Sequence, residues 1–314
     1  YHDLDTLAIG TIAEDVSAEF DTYWNAAESY PVTAFVEPDD SEEAAEQLQQ
    51  RFADTVASAQ ATPYAPALRH TMTDLLVADD NNVLVWAPAT VVFDLPYGDT
   101  SDAGVAGPEI LAPVLIDAIN QARTEMFMVS PYFVPGDSGV ERFRELRERG
   151  IRCVVVTNSL ASTDVAAVYA GYRNYYRALL EIGVELWEVM AFPSGAGAPE
   201  GASIDKRSLH AKTFAVDRQQ LFVGSFNWDP RSIGINTEMG AIIESGKLAS
   251  QMVDAVSSAL PLSAWKVRLR EDGEVEWVDL SGSEEVVFTT NPQTDFALRQ
   301  QANLTDISIL EGQL

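Results

Sequence analysis

Residues 210–217 read His210-Ala211-Lys212-Thr213-Phe214-Ala215-Val216-Asp217, and after six more residues the chain continues Gly224-Ser225-Phe226-Asn227. In shorthand this is H-x-K-x4-D-x6-G-S-x-N. These residue types suit a phosphodiester. An imidazole can attack phosphorus or protonate a leaving oxygen, and an adjacent ammonium can offset charge on the non-bridging oxygens. The run 209–216 alternates as a strand does, and 221–223 is a second apolar run. Residues two apart on a strand share a face, so His210 and Lys212 are expected to point the same way. Ser225 and Asn227 repeat that spacing just after the second run. Asp217 falls on the opposite face of a regular strand and is expected to support the fold rather than touch a substrate.

The six fixed positions resemble the phospholipase D superfamily motif. The continuation Asn227-Trp228-Asp229-Pro230-Arg231-Ser232 and then Asn236-Thr237-Glu238 resembles the bacterial cardiolipin synthase branch. So do Met128-Val129-Ser130-Pro131-Tyr132-Phe133-Val134-Pro135, Thr157-Asn158-Ser159-Leu160-Ala161-Ser162-Thr163-Asp164 and Ala170-Gly171-Tyr172. Residue by residue, Ser-Pro and Thr-Asn-Ser also read as plain punctuation between strand and loop. The resemblance implies a phosphatidyltransferase that makes cardiolipin from phosphatidylglycerol through a phosphohistidine. In that scheme His210 is general acid and then general base, Lys212, Ser225 and Asn227 hold the phosphate, Glu238 orients His210 and Asp217 braces the motif. The catalytic set is thus His210, Lys212, Asp217 and Glu238, with no cofactor and no metal. Tyr169 stands where close relatives are expected to carry a histidine, so a substrate contact is expected to differ there. The alternatives are a phospholipase D-type hydrolase, a superfamily nuclease, or a lipid-binding half without catalysis.

Enzymes of this family use two such motifs, and this chain has one. Its three histidines are His2, His70 and His210, and only the last is followed by lysine two residues on. The opening Asp3-Leu4-Asp5-Thr6-Leu7-Ala8-Ile9-Gly10 resembles the segment just after a first motif. The chain is therefore expected to be the C-terminal part of a longer enzyme, inactive alone, with a single-motif homodimer as the alternative. Residues 1–27 are read as the end of a first phospholipase D-like domain, 28–105 as a connecting region and 106–314 as the second domain. The implied partners are a phospholipid, a membrane surface and the missing half or a second copy, at the bacterial inner membrane as a peripheral protein.

Composition narrows the classes. The formal net charge is −28, with 48 acidic against 20 basic residues. Such a balance disfavours nucleic acid as a partner and broad attraction to anionic lipid. It also suits a salt-tolerant source, where ionic strength screens self-repulsion. No apolar run reaches membrane-spanning length, and the single Cys153 sits in a buried-strand pattern, which leaves no internal disulfide.

The flanking elements are read from periodicity. Residues 41–59 are helical in pattern, and 82–86 and 90–94 are strands. From 108 onward helices at 108–124, 139–149, 164–182 and 247–260 alternate with strands at 126–129, 151–157, 184–189, 239–243, 274–279 and 285–289. That order predicts an α/β domain, a mixed and largely parallel sheet flanked by helices. The stretches 98–107 and 193–201 read as loops, and 297–314 as a packed tail.

Overall fold

The computed structural model describes residues 3–37, 41–62, 65, 84–96, 111–192 and 206–304. It divides into two compact units, Ala27–Trp86 on the one hand, Tyr1–Ala26 with Ala87–Leu314 on the other. In the smaller unit a single 3-10 turn, Val32–Ala34, precedes helix α2, Glu42–Gln60, and the Ser41 hydroxyl caps that helix by accepting from the Ala44 amide at 3.2 Å.

The larger unit opens with helix α1, Thr11–Trp24. Its centre is a ten-stranded sheet. The strands are β1 Ala89–Phe93, β2 Glu125–Val129, β3 Arg152–Asn158, β4 Glu185–Val189, β5 Thr213–Val216, β6 Gln220–Gly224, β7 Met239–Glu244, β8 Ala264–Leu269, β9 Val275–Asp279 and β10 Val286–Phe288. Their spatial order is β1-β7-β6-β5-β2-β3-β4-β8-β9-β10. Only β2 with β3 and β3 with β4 run parallel, and the other pairings are antiparallel. The expected largely parallel sheet is thus corrected to a mostly antiparallel one with a parallel centre. Helices separate β2, β3 and β4, which forces parallel crossovers there, whereas β5–β6 and β8–β9 are joined by short turns that allow only antiparallel pairing.

Further helices are α3 Leu111–Asn120, α4 Gly136–Glu148, α5 Ala166–Arg173, α6 Tyr176–Glu181, α7 Pro230–Gly234, α8 Gly246–Ser263 and α9 Phe296–Leu304. Side chains alternate across the central strands. Met126 and Met128 join Leu115, Phe143, Tyr169 and Tyr172 in one apolar layer. Phe127 and Val129 join Ala249, Met252 and Leu260 of α8 in the other. Because helices cover both faces, β2 and β3 read as near-continuous apolar runs rather than alternating ones.

Several boundaries differ from the sequence reading. The single helix expected at 164–182 is two, α5 and α6, parted where Asn174 and Tyr175 bond back to Gly171 and Tyr172 in a tight i to i−3 turn. Residues 84–86 are not strand, and the strand of that region is β1, which pairs with β7. The sheet therefore takes in a segment read as connector. The expected loops at 98–107 and 193–201 and the tail beyond 304 lie outside the described residues.

Candidate active site

The register brings most of the motif to one end of the sheet. Thr213, the first residue of β5, pairs with Val129, the last of β2, and with Val223 near the end of β6. Gly224 pairs with Gly240 at the start of β7. His210 and Lys212 before β5, Ser225 and Asn227 after β6, and Glu238 before β7 consequently gather beyond the carboxyl ends of β2 and β3. The glycines allow this close join, since a Cβ on Gly224 would lie 2.5 Å from the Met239 carbonyl oxygen.

His210 precedes the regular ladder rather than lying in it, and its side chain is 58% exposed. Its Nδ1 meets Asp3 Oδ2 at 2.8 Å. Lys212 is half-buried, and its Nζ donates to the His210 carbonyl at 2.7 Å. Burial pushes the Lys212 ammonium below its usual pKa, against the upward pull of Asp3, Glu238, Asp164 and Asp229. The Asn227 side-chain amide makes no hydrogen bond among the described residues, and its Oδ1 is buried. A buried acceptor without a donor is costly, and the same amide carries Nδ2 as a donor for a ligand oxygen.

Glu238 does not orient His210. It is buried beneath the 225–238 connection, where its carboxylate accepts from Ser225 Oγ at 2.5 Å, Ser232 Oγ at 2.8 Å and Asn236 Nδ2 at 3.2 Å. Its backbone is held too, because Glu238 N donates to Asp94 Oδ2 at 3.0 Å and Asp94 N to the Glu238 carbonyl at 2.9 Å. The other Asp94 oxygen receives the Leu111 amide at 3.0 Å, which ties α3 to the same point. Glu238 is thus a hub for the connection that carries Asn227. Ser225 is spoken for as well, since its proton goes to Glu238 while its oxygen accepts the Met239 amide at 3.0 Å. Its hydroxyl braces the turn.

Asp217 lies at the far end of β5, outside the reaction site. Asp217 and Arg218 turn the β5–β6 hairpin in the left-handed region, at φ 52° and 54°. The Asp217 carboxylate receives the backbone amides of Arg123, Thr124 and Glu125 together with Thr124 Oγ, at 2.7–3.1 Å. Burial alone would raise its pKa, but those donors outweigh it and hold the group below the ordinary aspartate value. Tyr169 is no surface contact either: it is buried and bonds to Glu188 and Asn291.

Asp3 was missed because 207 residues separate it from His210 and no local pattern marks a carboxylate for that role. Asp94 was missed because it sits where the sequence reads as a connector. Among the described residues no group of three or more His, Cys, Asp or Glu could hold a metal ion.

Several known proteins are similar to this chain. A family profile described as cardiolipin synthase, PLD-like domain, matches residues 115–259. Cardiolipin synthase C of Escherichia coli (strain K12) is 32% identical over 99% of this chain, which spans 66% of that protein. Cardiolipin synthase A of Proteus mirabilis (strain HI4320) is 30% identical over 60% of this chain and 36% of its own length. Among solved structures, phosphatidylserine synthase from Haemophilus influenzae Rd KW20 aligns at a TM-score of 0.45 and 13% identity, over 72% of this chain and 48% of the other. The chain belongs to the phospholipase D superfamily, in its cardiolipin synthase-like branch.

Proposed function

We propose that this chain is the C-terminal catalytic half of a phosphatidyltransferase that makes cardiolipin from phosphatidylglycerol, with residues 1–27 closing a first phospholipase D-like domain. The observation that carries the reading is the His210–Asp3 pair beside Lys212. With Nδ1 engaged by a carboxylate, proton exchange with the substrate falls to Nε2.

In the first step a histidine of the other motif attacks the donor phosphorus. A P–N bond forms, the P–O bond to glycerol breaks, and His210 gives its proton to the departing alkoxide. In the second step the glycerol hydroxyl of another phosphatidylglycerol loses its proton to His210 as its oxygen attacks phosphorus and the P–N bond breaks. Two phosphatidylglycerols thus become one cardiolipin and one glycerol. Lys212 Nζ and Asn227 Nδ2 hold the non-bridging oxygens, where charge is stabilised most usefully in a partly dry site. No cofactor or metal enters the scheme. The protein works peripherally at a bacterial inner membrane, and no helix among the described residues is long and apolar enough to cross one.

Hydrolysis is the second reading, favoured by the exposure of His210, which lets water compete for the intermediate. Product analysis with the complete protein and phosphatidylglycerol vesicles tests both. Cardiolipin with an equal amount of glycerol supports transfer, and phosphatidic acid without cardiolipin overturns it. Cleavage of DNA with a steep salt dependence would move the protein to the nucleases. This chain alone is expected to turn over neither lipid.

A further inference from the structure

The segment Thr157-Asn158-Ser159-Leu160-Ala161-Ser162 closes β3, and the chemistry above makes no use of it. Asn158 is the last residue of that strand and is 3% exposed. Its amide is fully engaged. Oδ1 accepts from the Leu209 amide at 2.9 Å and from Ser162 Oγ at 2.9 Å, while Nδ2 donates to the carbonyls of Leu209 at 3.0 Å and Pro131 at 3.3 Å. A backbone amide only donates and a carbonyl only accepts, so these partners fix which way the side chain is turned.

The two bonds to Leu209 are of the kind a neighbouring strand makes. β2 lies between β3 and β5, and its ladder to β5 ends at the Val129–Thr213 pair. Beyond it the chain bends at Pro131, which has no N–H to offer. The Asn158 side chain reaches across that lane to the residue immediately before the histidine. The structure assigns Asn158 as the positioning residue of His210: its amide stands in for the ladder that β2 no longer supplies and fixes the backbone from which the imidazole meets Asp3.

Asn158→Asp keeps the shape but sets a carboxylate oxygen against the Leu209 and Pro131 carbonyls. The readout is the His210 Cε1–H resonance of this chain, assigned by its loss in His210→Ala. The expected result is a displaced and broadened His210 signal with unchanged far-ultraviolet circular dichroism. An unmoved signal in a folded Asn158→Asp protein overturns the assignment. Should that variant not fold, hydrogen exchange at the Leu209 amide decides. It is expected to be slow in the wild type and roughly tenfold or more faster in Ser162→Ala, which loosens the Asn158 carbonyl. Free exchange at Leu209 in the wild type overturns the assignment as well. In the complete enzyme Asn158→Asp is expected to lower kcat about 100-fold while KM stays within about twofold. Only that kinetic arm rests on the proposed reaction. An inactive wild type defeats the reaction, and an unmoved His210 resonance defeats the positioning role.

Discussion

Asp3 and His210 form a pair in which each residue needs the other. The carboxylate fixes the ring, and the exposed ring presents its other nitrogen to the substrate. Asp3→Asn keeps a hydrogen-bonding group but replaces the carboxylate acceptor that holds the ring at Nδ1. In the complete enzyme it is expected to lower kcat by roughly 10- to 100-fold, with folding unchanged by circular dichroism. Activity within twofold of wild type would show that Asp3 is only a neighbour. At this scale the closeness of His210, Lys212 and Asn227 at one sheet end was legible because their spacing is short. The partner of His210 was not. Glu238 stands near in sequence, but Ser225, Ser232 and Asn236 supply nearer donors under a buried connection, and their hydrogen bonds take up both of its oxygens.

Individual elements hold the site from behind. Asp217 gathers three backbone amides and so joins the β5–β6 turn to the start of β2. Removing it leaves those donors without a partner, so Asp217→Ala is expected to cost about 2 kcal/mol in urea unfolding at pH 7. The folded pKa of Asp217 lies below its unfolded value. Its contribution is therefore present above the unfolded pKa and lost as the pH falls through the folded one, and the variant should lose the difference in acid.

Glu188 on β4 has the opposite sign. It is fully buried, accepts from Trp277 Nε1 at 2.9 Å, and burial pushes its pKa from 4.5 up to about 8 despite that bond. Between these two values the unfolded chain has released a proton that the folded protein keeps. Stability from this group is full below the unfolded value and falls by about 1.4 kcal/mol per pH unit until the folded value is passed. Glu188→Gln should flatten that slope in unfolding curves taken from pH 5 to 8. An unchanged slope would mean that Glu188 ionises in the folded state as it does in water. Element type was legible where helices and strands alternate, and pairing direction was not. A hairpin and a crossover can join strands of the same pattern, and only the length of the connection tells them apart. Strand β8, with Trp265, Val267 and Leu269 alternating against Lys266 and Arg268, carried a readable signal that went unread.

The molecule as a whole carries a formal charge of −28, yet its reaction site must hold an anionic phosphate. Lys212 alone among the site residues supplies a cation from within the motif, with Asp3, Asp164, Asp229 and Glu238 all within electrostatic reach. Self-repulsion of this size should be relieved by salt. The Tm is expected to rise as KCl approaches 1 M, where the screening length is about 3 Å. A Tm that falls over the same range would contradict the salt-tolerant reading of the composition. The charge balance was fully legible in the sequence. The gathering of residues from 3, 94, 158 and 210 at one sheet end was not, because long-range pairing leaves no periodic trace.

The central claim is that His210 delivers the proton that lets glycerol leave. In the complete protein, His210→Ala is expected to slow turnover of phosphatidylglycerol by roughly 10²- to 10⁴-fold. The same variant should still release p-nitrophenol from phosphatidyl-p-nitrophenol in a first-turnover burst, because that leaving group departs without a proton. Equal loss on both substrates, or near wild-type turnover of phosphatidylglycerol, would contradict the role given to His210.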